Sequence, residues 1–127
     1  LVDTYRDHDL DVDVIIPVPL HASRLKERGY NQSELLAREV AVVIYLPVDT
    51  TTLQRVKKTK SQMKLGVDER RQNVKKAFAC SSLKLAGQKV LLIDDVCTTG
   101  STLDASAAAL KEGGAVSVWG LTLASAR

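Results

Sequence analysis

Apolar and polar positions fall into blocks with two different periods along the chain. Residues 12–18, VDVIIPV, are β-branched and flanked by prolines, and they read as a buried strand. Residues 20–31, LHASRLKERGYN, are polar and basic. In residues 32–46 the apolar positions Leu36, Val40 and Val43 recur at i, i+4 and i+7, which predicts an amphipathic helix stopped before Pro47. A short strand over 48–54, a mobile basic loop over 55–66, a helix over 67–76 and a short strand at Ala77-Phe78-Ala79 follow, and then a turn around Gly87. Lys89–Ile93 is a strand with an unbroken apolar centre. Ser101 or Thr102 caps a helix whose inner face holds Leu103, Ala107 and Leu110, and Gly113-Gly114 ends it. Residues 115–124 read as a last strand. Strands that are apolar throughout, alternating with helices, predict an α/β fold with a central, mainly parallel sheet flanked by helices.

The 127 residues fit one domain spanning the chain, with 1–11 as a leading segment. Hydrophobic residues make up 45% and charged residues 26%, as in ordinary globular chains. No apolar run reaches the roughly 18 residues a membrane helix needs, and no signal peptide is visible, so no membrane insertion is expected. Leu1-Val2-Asp3 is not a natural beginning and suggests a trimmed or processed chain. Cys80 and Cys97 form no CxxC pair, so a reduced, cytoplasmic setting is the default expectation. Charge is uneven. Residues 55–76 hold nine lysines and arginines against Asp68 and Glu69, or +7; the net +3 of the whole chain leaves −4 for the rest. A basic segment on an acidic body suits an anionic ligand bound at one place, as well as a merely solvated basic face.

Residues 90–102, VLLIDDVCTTGST, carry the sharpest chemistry. A buried strand delivers Asp94 and Asp95 to the carboxyl edge of the sheet, where α/β proteins bind ligands. The helix that starts near Ser101 offers unpaired backbone N–H groups and a positive dipole end. Thr98, Thr99, Ser101 and Thr102 add hydroxyl donors, and Gly100 lets the backbone approach closely. Amides and hydroxyls make an anion cradle suited to a phosphate monoester. The paired carboxylates suit hydroxyl groups or a metal. A phosphate next to hydroxyls describes a sugar phosphate.

This stretch resembles the phosphoribosyl pyrophosphate (PRPP) motif of the type I phosphoribosyltransferases, a Rossmann-like family. The chain is further similar to the ComF/GntX group of that family. PVPLHASRLKERGYNQ at 17–32, RVKKTKSQMKLGVDERRQNVKKAF at 55–78 and Ala107–Ala115 carry that similarity. The resemblance covers roughly residues 12–127. It implies that Asp94 and Asp95 hold the ribose hydroxyls of PRPP and that Thr98, Thr99, Gly100, Ser101 and Thr102 wrap its 5′-phosphate. It implies Mg²⁺ as cofactor, carried mainly by PRPP, with contact to Asp94 and Asp95 left open. It places Arg24, Arg28, Arg55, Lys57, Lys58 and Lys60 at the pyrophosphate, the last four from a loop that closes over it; Thr59, Gln62, Arg70 and Asn73 match the group's signature.

Purine-salvage members carry a third acid where this chain has Thr98, so the acceptor stays open. Asn31 is read equally as helix cap or ligand contact, His21 as a loop residue, Cys97 as packing and Trp119 as core or edge packing. The zinc-ribbon segment of many group members has no paired cysteines to represent it here. Expected partners are PRPP and pyrophosphate, with proteins of the DNA-uptake machinery and a homodimer left open. A non-catalytic PRPP- or nucleotide-binding module is the alternative to an enzyme. Direct nucleic-acid binding through 55–76 is disfavoured, since Phe78 just beyond it is the nearest aromatic and stacking platforms are lacking.

Overall fold

The computed structural model describes residues 11–20, 22–56, 77–80, 85–97 and 101–125. The elements are β1 (Val14–Pro17), α1 (Ala22–Arg28), α2 (Gln32–Ile44), β2 (Leu53–Arg55), β3 (Phe78–Cys80), β4 (Lys89–Cys97), α3 (Ser101–Glu112) and β5 (Ser117–Ser125). Among the described residues β1, β4 and β5 form a parallel sheet in that order, with Val14 opposite Val90 and Lys89 opposite Ser117. Val48 adds a single parallel bridge to Ile15 on the outer side of β1.

Alternation along the two buried strands divides the core. Ile15, Leu91 and Ile93 face α2 and meet Leu36, Ala37 and Val40. Val14, Ile16, Val90 and Leu92 face the other way, onto Ala105, Ala109 and Leu110 of α3 and onto Leu53 and Phe78. A strand buried on both sides must be apolar at every position, which is why Val14–Ile16 of β1 and Val90–Ile93 of β4 are continuous runs of Val, Ile and Leu. Each such side chain taken fully out of water contributes about 1.5–3 kcal/mol. The expected fold is therefore observed: a mainly parallel sheet with helices on both faces.

Several local expectations change. The buried stripe of α2 continues through Ile44, which packs partly against the core, while Val43 is 43% exposed. In α3, Ala105, Ser106, Ala109 and Leu110 are buried and Ala107 is only half-buried. The polar, basic stretch after β1 contains a helix: 22–28 form α1, ended by Gly29 at φ +80°. Residues 48–54 are not one strand: Val48 makes only the single parallel bridge to Ile15, and β2 starts at Leu53. The Asp49 carboxylate accepts from the N–H groups of Thr51 and Thr52 and from the Thr52 hydroxyl, which turns the chain. β2 begins beyond that turn and pairs antiparallel with β3 as a separate ribbon. Trp119 lies on strand β5 and is 49% exposed, so it is no core residue. The turn at Gly87 and the glycine stop after α3 are found as expected, with Gly87 at φ +77° and Gly114 at φ +105°. The expected helix over 67–76 lies outside the described residues.

Candidate functional site

β1 leads to α2 on one face of the sheet, and the neighbouring strand β4 leads to α3 on the other. Adjacent parallel strands whose helices leave on opposite faces open a crevice beyond their carboxyl ends, the usual ligand position in such sheets. β1 closes its ladder with Pro17 opposite Ile93, and Val18 N–H donates to the Ile93 carbonyl at 2.8 Å. Asp94 is the next residue of β4 and stands at that opening.

The crevice is built by the start of α2. Asn31 is its N-cap: the side-chain oxygen accepts from Ser33 N–H at 3.1 Å, while the amide nitrogen donates to the Val18 carbonyl at 3.0 Å. One side chain thus satisfies an orphan helix amide and ties the helix to the end of β1. Of the two roles considered for Asn31, the structure shows the cap. Ser33, 3% exposed, donates its hydroxyl to Asp94 Oδ1 at 3.1 Å and accepts from Asp95 N–H at 3.2 Å. Asp95 N–H also donates to Asp94 Oδ1 at 2.9 Å.

Asp94 is buried, and its carboxyl is pushed up to about 6. Desolvation is the main cause, followed by its hydrogen bond with the Asp95 side chain; the donors Ser33 and Asp95 N–H act the other way. Arg55 stands in the same electrostatic neighbourhood. Burial and the nearby Arg24 charge lower its proton affinity, and Asp94 raises it. Its guanidinium carbon lies 5.2 Å from the centre of the Phe78 ring. Arg55 is therefore not part of a loop, as expected, but sits in β2, held by pairing with β3.

Of the anticipated residues the structure sets Asp94 beside Asp95, and the charges of Arg24 and Asp94 both act on Arg55. Arg24 and Arg28 are exposed and one turn apart on α1, an i, i+4 spacing that shares a helix face. Thr102 is half-buried in the first turn of α3, five residues after the end of β4. Thr98, Thr99, Gly100, Lys57, Lys58, Lys60 and His21 lie outside the described residues, as do Thr59, Gln62, Arg70 and Asn73 and the side chains of Ser101 and Cys97. Sequence reasoning missed Ser33 and the Phe78 platform. The Asn-x-Ser spacing at the head of an amphipathic helix signals a cap, but nothing local reveals a carboxylate 61 positions later.

Among the described residues no group of three or more His, Cys, Asp or Glu side chains could hold a metal ion. Two adjacent carboxylates do fit Mg²⁺ that is shared with substrate phosphates, since that ion needs only one or two protein oxygens in such sites.

Residues 26–126 match the family described as "Phosphoribosyl transferase domain". The chain belongs to the type I phosphoribosyltransferase family. Within it the relatives are those of the ComF group. The chain is 41% identical over 127 residues to Competence protein F of Haemophilus influenzae, covering 96% of this chain and 56% of the relative. It is 37% identical over 109 residues to DNA utilization protein YhgH of Escherichia coli K12, covering 84% of this chain and 48% of the relative. Competence protein ComFC of Bacillus subtilis is 35% identical over 111 residues, covering 87% and 43%. The chain thus spans about half the length of these relatives. Solved phosphoribosyltransferase structures share the fold. Glutamine PRPP amidotransferase from B. subtilis has a TM-score of 0.61 at 18% identity, covering 96% of this chain and 24% of that one. Purine phosphoribosyltransferase from Pyrococcus horikoshii has a TM-score of 0.59 at 20% identity, covering 98% and 68%.

Proposed function

We propose that this phosphoribosyltransferase domain binds Mg²⁺-PRPP at the β1–β4 crevice and transfers its phosphoribosyl group to a nitrogen acceptor. The carrying observation is the Asp94-Asp95 pair, held by Ser33 at the carboxyl end of β4 a few residues before the start of α3. In this reading the aspartates take the ribose hydroxyls, and the turn through Thr102 takes the 5′-phosphate. Arg24 and Arg55 face the pyrophosphate, with Arg28, Lys57, Lys58 and Lys60 assigned to the same group. Mg²⁺, when bound, screens pyrophosphate charge.

The bond from the anomeric carbon to pyrophosphate breaks, the bond to nitrogen forms, and the acceptor's proton leaves to solvent. Positive charge develops on the sugar as negative charge departs. Carboxylates near the ring and guanidinium groups near the leaving group both favour that separation, chiefly by position and field. A second reading has a specific basis. Thr98 stands where purine-salvage members keep an acid, and the relatives are named for competence and DNA utilization. The domain would then bind PRPP or a nucleotide without transfer and serve DNA uptake.

Calorimetry of Mg²⁺-PRPP with the intact chain and with the Asp94→Asn/Asp95→Asn variant tests the PRPP binding on which the first reading rests. Binding lost in the variant supports it, and no binding to the unaltered chain overturns it. Pyrophosphate release across a panel of bases then separates transferase from binding module.

A further inference from the structure

We propose that Ser33 is the positioning residue of this site, fixing the Asp94 carboxylate in the orientation that meets the ribose; this rests on the PRPP reading above. The hydroxyl has one hydrogen to give and gives it to Asp94 Oδ1, and its oxygen accepts from Asp95 N–H. Oδ1 also accepts from Asp95 N–H, so this oxygen serves the fold. One carboxylate of the pair is thereby anchored on the partner helix before any ligand arrives. A side chain held in this way loses no rotamer freedom on binding.

The anchor is itself fixed. Ser33 is 3% exposed, its backbone N–H is bonded to Asn31, and Asn31 reaches the Val18 carbonyl at the end of β1. The chain of contacts Val18–Asn31–Ser33–Asp94 therefore spans the crevice mouth from one strand end to the other. It couples the spacing of β1 and β4 to the orientation of a ligand group. The other donor to Oδ1, Asp95 N–H, belongs to the same strand, so Ser33 supplies the link across the crevice.

The test uses the intact chain with Ser33→Ala, Ser33→Thr and Asp94→Ala. Calorimetry is run with Mg²⁺-PRPP and, separately, with Mg²⁺-pyrophosphate, which lacks the ribose. Ser33→Ala weakens PRPP about ten-fold, the scale of one hydrogen bond to a charged group, and leaves pyrophosphate unchanged. Ser33→Thr, which keeps the hydroxyl, recovers most of that loss. Ser33→Ala placed on Asp94→Ala, which leaves Ser33 no side chain to orient, adds no further weakening. In the free protein, three-bond couplings give one Asp94 χ1 rotamer in the parent chain and an average in Ser33→Ala.

Equal weakening of PRPP and pyrophosphate, additive effects with Asp94→Ala, or an unchanged single rotamer in Ser33→Ala each overturns the positioning role. Absence of PRPP binding to the unaltered chain overturns instead the functional reading on which the ligand part rests. The coupling measurement still decides whether Ser33 orients Asp94.

Discussion

Arg55 and Phe78 are cross-strand partners in the β2–β3 ribbon, and the arginine lays its guanidinium 5.2 Å from the centre of the phenyl ring. A planar cation over an aromatic face is held more firmly than a lysine on a flexible stem. The pairing turns an arginine expected in a loop into one presented from a fixed strand. Arg55→Lys keeps the charge and loses the fork and the stacking, so Mg²⁺-pyrophosphate binding weakens about ten-fold. Phe78→Leu removes the platform, together with part of the core packing around Phe78, and weakens it about three-fold. Titration calorimetry reads both, and unchanged affinity in both variants contradicts the assignment.

Asp94 makes stability depend on pH in an unusual direction. Its carboxyl sits at about 6 in the fold against an ordinary 3.8, chiefly because burial penalises the charge. The folded chain therefore holds this proton more tightly than the unfolded chain does. Stability from this group is greatest below about pH 4 and falls as pH rises to about 6, beyond which the full cost of the buried charge is present. Asp94→Asn keeps an acceptor for Ser33 and removes that charge. At pH 8 it raises unfolding free energy by about 1–2 kcal/mol, and the gain shrinks to zero by about pH 4. Urea titrations at the two pH values check this; a gain that does not vary with pH contradicts it.

Ser106 of α3 is fully buried, and its hydroxyl finds no hydrogen-bond partner among the described residues. An unmet buried hydroxyl costs about 1–3 kcal/mol. Ser106→Ala therefore stabilises the chain by about 1 kcal/mol in chemical denaturation. A loss of similar size would show that the hydroxyl is satisfied in solution.

Gly114 turns the chain from α3 into β5 at φ +105°, and a Cβ there would stand 2.8 Å from Ala86 Cα and 3.1 Å from Ala86 N. The obstacle is backbone, which yields little. Gly114→Ala is expected to cost at least about 2 kcal/mol through strain and overpacking together. A midpoint within about 0.5 kcal/mol of the parent chain contradicts this.

The parts legible in the sequence are those governed by neighbours along the chain. β1 and β4 declare themselves because strands buried on both faces leave no polar position, and Asp94-Asp95 stands out against that background. The less legible parts depend on distant partners. α1 has no apolar stripe, and its one large apolar residue, Leu25, is 42% exposed. β2 and β3 are three residues each, too short for a period, and their antiparallel pairing joins parts of the chain far apart in sequence. Ser33 acquires its role only when α2 packs across the end of β4.

Ligand location as well as affinity is read by amide chemical-shift mapping during a Mg²⁺-PRPP titration. Saturable shifts are expected at Ser33, Asp94, Asp95 and Thr102, with smaller ones at Arg24 and Arg55. Shifts confined to the opposite end of the sheet, around Val48–Thr51 and Gln88, or no saturable shifts at all, would contradict PRPP binding at the β1–β4 crevice.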